Sequence, residues 1–143
     1  MISRTLASSQ HFVLVLLIFA AGCTAETREP VSANGRVTLD EKVVSGVVLT
    51  LQPTRLTTGP KATVPVRNGE FSVSPEAGLH GGEYRVRFSA MPGDILSQLP
   101  PEMNEGLLGP GSFIASEFDV ESVMTWDLQP GEQNERDFDL TLE

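Results

Sequence analysis

The sequence EYRVRFS, from Glu83 to Ser89, has the clearest secondary-structure pattern in the chain. Apolar and polar residues alternate along it, with Tyr84, Val86 and Phe88 on one side and the polar residues on the other. Successive side chains of a β-strand point to opposite faces. This pattern therefore predicts a strand with one face in a hydrophobic core and the other in water.

The same period-2 alternation recurs on both sides of this strand. Turn signals separate the repeats, and Asn68-Gly69 is the strongest, because these residues accept the positive φ angles of a tight hairpin. Pro65 lies inside a predicted strand and indicates a sheet edge or a bulge, since proline has no amide hydrogen to donate. No segment after the first 30 residues has a helical period. The pattern predicts an all-β, antiparallel β-sandwich of about seven strands, with the other strands at 36–39, 43–52, 62–67, 70–73, 124–128 and 138–142.

The segment 91–116 departs from this pattern. It is rich in proline and glycine, has no usable period, and still carries many apolar side chains. Structureless loops of this length are uncommon in compact domains and are often functional. One interpretation is that the loop covers an open end of the sandwich and packs on the core. The other is that it binds a partner, for which Leu107, Leu108 and Phe113 are the predicted contact residues.

The N-terminal segment has the layout of a secretory signal. A polar start carrying Arg4 precedes an apolar run from Phe12 to Ala21, and small residues then lead to Cys23, the only cysteine. The apolar run is shorter than the roughly 20 residues that span a bilayer. A cleaved signal peptide is therefore expected rather than a retained membrane helix.

The end of this segment, Ala20-Ala21-Gly22-Cys23, resembles the lipobox of bacterial lipoproteins. The resemblance implies that residues 1–22 are a lipoprotein signal peptide and that Cys23 becomes an acylated N-terminus. Residues 23–30 would then form a lipidated tether, and residues 31–143 the folded domain. An ordinary secretory signal that is cut elsewhere is the alternative.

The formal net charge of the chain is −9, and it is unevenly distributed. Residues 23–93 hold 8 Lys and Arg against 7 Asp and Glu, whereas residues 94–143 hold 1 against 12. A surface this acidic argues against binding nucleic acid or docking on anionic lipid head groups, because both need basic side chains. Most of these carboxylates are expected on the solvated outer faces of strands.

Four strand-and-turn motifs follow one another along the chain. They are Gly35-Arg36-Val37-Thr38-Leu39-Asp40, Asn68-Gly69-Glu70-Phe71, Leu79-His80-Gly81-Gly82-Glu83-Tyr84-Arg85-Val86, and the stretch from Leu128 to Leu140. In this order they resemble carboxypeptidase regulatory-like domains, which are transthyretin-like (Ig-like) sandwiches and often occur alone in small bacterial lipoproteins. The resemblance implies an extracytoplasmic location and a non-catalytic role, with no catalytic residues to transfer. The family's first turn has Gly-x-Pro-Val where this chain has Glu41-Lys42-Val43-Val44, so the turn must use non-glycine residues.

Few residues are candidates for catalysis or metal binding. His80 is the only histidine after the signal segment, and its glycine-rich turn predicts a solvated side chain. One histidine without a Gly-x-Ser-x-Gly motif does not indicate a hydrolase triad, and zinc needs several His or Cys ligands. A flat row of carboxylates does not wrap a calcium ion. No catalytic, cofactor or metal site is predicted, although two sets of carboxylates would each share a face on a strand: Glu117, Asp119 and Glu121, and Asp137 and Asp139.

These observations predict a non-enzymatic β-sandwich that is held by a lipid at the bacterial cell membrane or outer membrane. The membrane, through the anchor, and an unidentified envelope protein or glycan are the expected partners, and nucleic acid is not. Two alternatives stay open at this point. One is a small envelope hydrolase that uses acidic residues, and the other is a calcium-stabilised adhesion module.

Overall fold

A computed structural model describes residues 28–103 and 105–143 of the chain. Two sheets pack against each other, which confirms the predicted all-β sandwich. The described residues form nine strands rather than about seven, because two short pairings add to the expected set. In chain order they are β1 (Ala33–Leu39), β2 (Lys42–Val43), β3 (Val47–Pro53), β4 (Ala62–Val66), β5 (Glu70–Val73), β6 (Gly82–Ala90), β7 (Thr125–Leu128), β8 (Asn134–Glu135) and β9 (Phe138–Leu140).

One sheet has four antiparallel strands in the order β4-β3-β6-β7. Strand β6, one of the two central strands, contains the residues Glu83 to Ser89. Tyr84, Val86 and Phe88 are all fully buried, as the alternation predicted. Strand β4, which contains Pro65, lies at the edge of this sheet. The position of Pro65 at an edge is therefore confirmed, and it follows from the missing amide hydrogen.

The other sheet is built around β1. Strands β2 and β5 pair with β1 in antiparallel orientation, whereas β8 and β9 pair with it in parallel. The sandwich is antiparallel for the most part, as predicted, and the alternation gave no indication of these two short parallel pairings. The chain leaves β7 in the first sheet and crosses to β1 in the second, so the closing segment is a crossover between sheets. Strand β9 ends at Leu140, and Leu142, which was predicted to point inward, is 40% exposed.

An aromatic cluster joins the two sheets. Phe88 and Trp126 come from the four-stranded sheet, and Phe71 and Phe138 come from the sheet around β1. The ring centroids of Phe88 and Phe138 are 5.0 Å apart, and those of Phe71 and Trp126 are 6.2 Å apart, both in edge-to-face arrangement. Such pairs contribute about 0.5–1.5 kcal/mol each beyond the burial of their apolar surface.

The two short turns behave as the sequence predicted. Asn68 and Gly69 have φ angles of 51° and 75°, and Arg67 and Glu70 pair across them. The turn at Asp40-Glu41 also uses positive φ angles, 49° and 63°, at residues that are not glycine. The predicted strand 43–52, in contrast, is interrupted. It splits into β2 and β3, with Val44, Ser45 and Gly46 between them.

The direction of β6 defines two ends of the sandwich. We call the end where β6 begins the N-terminal end, because Pro30 pairs there with His80. We call the other end the loop end, because the segment 91–116 follows directly after β6. Nine residues of extended chain separate the two ends by about 27 Å. Among the described helices, none has the length and apolar character needed to cross a membrane.

Candidate functional site

The segment 91–116 is attached to the sandwich through Ser45, which is 1% exposed. The backbone amide of Ser45 donates to the carbonyl of Gly106 at 2.9 Å, and its carbonyl accepts from the amide of Leu108 at 3.1 Å. Its hydroxyl donates to the carbonyl of Glu105 at 2.6 Å and accepts from the amide of Asn68 at 2.7 Å. One residue therefore ties the loop to the Asn-Gly turn.

The far part of the segment is attached to the C-terminus. The amide of Ala115 donates to the carbonyl of Thr141 at 3.0 Å, and the amide of Glu143 donates to the carbonyl of Phe113 at 3.2 Å. Between them, Ile114 pairs with Leu142. The loop has little regular structure of its own, and its described turns are the helix Gly93–Leu96, which we label α1, and a 3-10 turn at Pro101–Met103.

Part of this segment packs on the core, as the first of the two interpretations predicted. Met91, Leu108 and Ile114 are 8%, 6% and 5% exposed, and Leu108 and Ile114 belong to the central hydrophobic cluster. The prediction that Leu108 is a contact residue is therefore wrong, because its side chain is in the core. The other two predicted contact residues are accessible, with Leu107 36% and Phe113 68% exposed.

An exposed apolar patch remains at the loop end. Val43, Ile95 and Leu107 are 42%, 46% and 36% exposed, and we call these three residues the loop-end patch. Gly46, which has no side chain, lets the loop that carries Ile95 and Leu107 approach the sandwich next to β2. A Cβ at this position would lie 2.7 Å from Leu96, the neighbour of Ile95, and 3.1 Å from Leu107. The backbone of Val43 in turn contacts Gly106, next to Leu107.

Exposed carboxylates lie in the same loop as Ile95 and Leu107. The segment 91–116 carries Asp94, Glu102 and Glu105 and has no lysine or arginine. All three carboxylates are exposed. Such a surface favours a partner that offers apolar side chains with positive charge around them.

Phe113 lies apart from the loop-end patch and lines a small groove at the same end. The groove has a volume of about 330 Å³, and Met91, Pro92 and Asp119 also line it. It is open, and its lining combines backbone, apolar side chains and one carboxylate. Phe113 is therefore a second exposed apolar residue at the loop end.

The first set of predicted carboxylates does not lie on a strand. Ser116–Phe118 is a 3-10 turn, so Glu117, Asp119 and Glu121 do not share one face of a sheet. The carboxylate of Asp119 pairs with the guanidinium of Arg87 at 2.8 Å, and Glu121 accepts from the hydroxyl of Ser116 at 3.1 Å. Within residues 28–103 and 105–143, no group of three or more His, Cys, Asp or Glu is placed to hold a metal ion.

The second set of carboxylates supports the first hairpin. Asp137 accepts from the amide of Arg36 at 2.9 Å. Asp139 accepts from the hydroxyl of Thr38 at 2.6 Å and from the amide of Glu41 at 2.9 Å. The hydroxyl of Thr38, followed by the amide of Glu41, holds the pKa of Asp139 below its ordinary value, because both hydrogen bonds favour the charged carboxylate. These contacts give the pair a structural role.

His80 is half-buried, and the prediction of a solvated side chain was wrong. The hydroxyl of Tyr84 donates to the His80 carbonyl at 3.0 Å and accepts from the His80 amide at 3.1 Å. The Nδ1 atom of His80 is buried and has no hydrogen-bond partner among the described residues. Within residues 28–103 and 105–143, therefore, no carboxylate accepts from Nδ1, which is the contact that orients a triad histidine.

Sequence reasoning missed Ser45, which has the largest structural role in this site. The signal available was the Ser-Gly pair inside an otherwise β-branched run. Cys23, the predicted signal peptide and most of the predicted tether lie outside the described residues. Comparison of the chain with protein-family models, curated proteins and solved structures finds no match. The resemblance to carboxypeptidase regulatory-like domains stays a prediction.

Proposed function

We propose that this protein is a non-catalytic module of the bacterial envelope, anchored through a lipid on Cys23, that binds a partner protein at the loop end. The observation that carries the proposal is the position of the loop-end patch relative to the start of the domain. Pro30 lies at the N-terminal end, whereas Val43, Ile95 and Leu107 lie at the opposite end of the sandwich.

The predicted tether is short. Arg28, the first described residue, is five positions after Cys23, and five extended steps span at most about 18 Å. An acyl group on Cys23 would therefore hold the N-terminal end close to the membrane. The loop end would then face away from the bilayer, because β6 separates the two ends by about 27 Å.

An aliphatic patch in this position supports a protein partner. Scattered exposed apolar residues are common on soluble proteins, but neighbouring ones that are rimmed by charge are typical of interaction sites. The hydrogen bonds of Ser45 fix the loop before any partner binds, so less conformational entropy is lost on association. Confinement to the membrane raises the effective concentration of the domain toward neighbouring envelope proteins.

The first experiment tests the anchor. Cells that express the full chain are grown with a labelled fatty acid, and the protein is followed through detergent phase partitioning. The wild-type protein should carry the label and enter the detergent phase, and a Cys23→Ser variant should do neither. An unlabelled wild-type protein that stays in the aqueous phase would contradict the proposal.

The second experiment tests the patch. A photo-crosslinking residue at position 107 is expected to give a defined protein adduct in intact cells, and Ile95→Ser should reduce its yield. The matched control places the same crosslinker at Val123, an apolar residue that is 86% exposed and lies outside the loop end. Equal adducts from both positions would show that contact is not specific to the loop end.

A further inference from the structure

The most exposed large apolar side chain of the described residues is at the N-terminal end. Leu56 is 97% exposed, and it lies in the loop between β3 and β4 beside Arg55, which is also exposed. A leucine that makes almost no contact within its own domain contributes nothing to the core. A single exposed leucine is ordinary on a protein surface, so what distinguishes Leu56 is where it lies in the fold.

An ordered turn holds Leu56 in this position. The amide of Thr57 donates to the carbonyl of Thr54 at 3.0 Å, and the amide of Thr54 donates to the carbonyl of Glu83 at 3.1 Å. The side chain of Thr57 packs against Gly82, where an added Cβ would lie 2.6 Å from the threonine hydroxyl. The residues on either side of the tip, Thr54 and Thr57, are thus both held against β6.

The same end of the sandwich receives the chain from the predicted anchor. Gly82, which contacts Thr57, also lines a groove of about 430 Å³ together with Arg28 and Glu29, the first described residues. The tip formed by Arg55 and Leu56 and the start of the domain are therefore neighbours. A tether of at most about 18 Å brings both to the membrane surface.

We propose that Arg55 and Leu56 contact the lipid surface when the domain is anchored. This inference rests on the proposed lipid at Cys23, because the contact is too small to recruit the protein alone. Leu56 would enter the boundary between head groups and acyl chains, and Arg55 would lie at the level of the lipid phosphates. The tether supplies the high local concentration that makes a single apolar contact effective.

The distribution of charge favours the same orientation. Near the tip, Arg55 and Arg85 line a groove with one carboxylate, Glu83. The segment 91–116, at the loop end, holds three exposed carboxylates, Asp94, Glu102 and Glu105, and no lysine or arginine. Anionic lipids repel this part of the surface more strongly than the tip. Contact through Leu56 therefore leaves the loop-end patch directed away from the bilayer.

The test uses the acylated full chain in vesicles of phosphatidylethanolamine and phosphatidylglycerol that contain a head-group quencher. A fluorophore is attached at Thr58→Cys, beside an intact tip, or at Lys42→Cys, an exposed position at the loop end. Acylated Cys23 offers no free thiol to compete for the label. The label at 58 should be quenched and the label at 42 should not. Equal quenching at both positions would overturn the inference.

The Leu56→Ser change, made in the protein labelled at 58, measures the contribution of the leucine. Burial of one leucine side chain corresponds to a change of about tenfold or more in a contact equilibrium. Quenching at 58 should therefore fall, while acylation and vesicle recovery stay unchanged. If Leu56→Ser leaves quenching unchanged on acylated protein, the tip contact is refuted and the anchor stands. If the wild-type protein is not acylated at all, both proposals are refuted.

Discussion

Replacing Ser45 by alanine should loosen the loop end while leaving the two sheets intact. The Ser45 hydroxyl donates to Glu105 and accepts from Asn68, and the residue is 1% exposed. Each hydrogen bond of this kind contributes about 0.5–1.5 kcal/mol net, so the loss of two is expected to cost about 1–3 kcal/mol. The side chains of Glu105 and Asn68 are exposed, and water that reaches their freed backbone groups would reduce the cost.

Two measurements separate a local effect from a global one. Urea unfolding, followed through the fluorescence of the buried Trp126, gives the free energy of unfolding. Amide hydrogen exchange then reports on single residues, and the Leu108 amide, which donates to Ser45, should lose more protection than the Val86 amide in β6. The matched control is Ser72→Ala, at an exposed position in β5, which should stay within about 0.5 kcal/mol of the wild type.

The reasoning is refuted if Ser45→Ala unfolds within about 0.5 kcal/mol of the wild type and the exchange of the Leu108 amide is unchanged. It is also refuted if protection falls equally in the loop and in β6, because the hydroxyl would then support the whole sandwich. In either case Ser45 would not be the residue that fixes the loop-end patch.

Three further changes test other parts of the fold. Tyr84→Phe leaves the backbone amide and carbonyl of His80 without their partner and should lower the free energy of unfolding by about 1–3 kcal/mol, measured in urea. Gly35→Ala places a Cβ on the carbonyl oxygen of Arg136 and should prevent folding, as circular dichroism would show. Asp139 has a lowered pKa, so its contribution to stability is present above its unfolded-state pKa and is lost as pH falls through the lower folded-state value. Asp139→Asn should therefore flatten the loss of stability below about pH 4 in urea titrations.

The parts of the fold that the sequence predicted depend on local rules. Alternation places Tyr84, Val86 and Phe88 in the core without reference to any other strand, because the period of a strand is a property of its backbone. Pro65 at a sheet edge and Asn68-Gly69 in a tight turn follow from restrictions within one or two residues. In each case the nearest neighbours in the sequence decide the result.

The parts that the sequence did not predict depend on contacts between distant residues. Strands β8 and β9 pair in parallel with β1, and the crossing chain between them passes over Gly35 so closely that a side chain there would strike Arg136. No local pattern near Arg136 indicates this approach. Asp119 likewise takes part in a turn because it reaches Arg87 on β6, 32 residues away in the sequence. Alternation alone shows only that the three carboxylates would share a face if their segment were a strand.

Of the loop-end patch, the sequence predicted Leu107 alone, because the other members depend on contacts between distant residues. A count of apolar residues in the segment 91–116 cannot tell Leu107 from Leu108, because both are leucines in a loop without a period. Hydrogen bonds to the backbone of Ser45 determine which of the two leucines is buried. Its carbonyl accepts from the amide of Leu108, and its amide donates to the carbonyl of Gly106. This short parallel pairing turns Leu108 into the core and leaves Leu107, the residue before it, at the surface.

The break between β2 and β3 at residues 44–46 therefore has two linked consequences. It ends β2 in one sheet and starts β3 in the other, and it exposes the backbone of Ser45 to the loop. An uninterrupted strand from 43 to 52 would use those backbone groups for its own sheet, and Gly106 and Leu108 would have no partner there. The same interruption that lets the chain change sheets thus also determines which apolar side chains are exposed at the loop end.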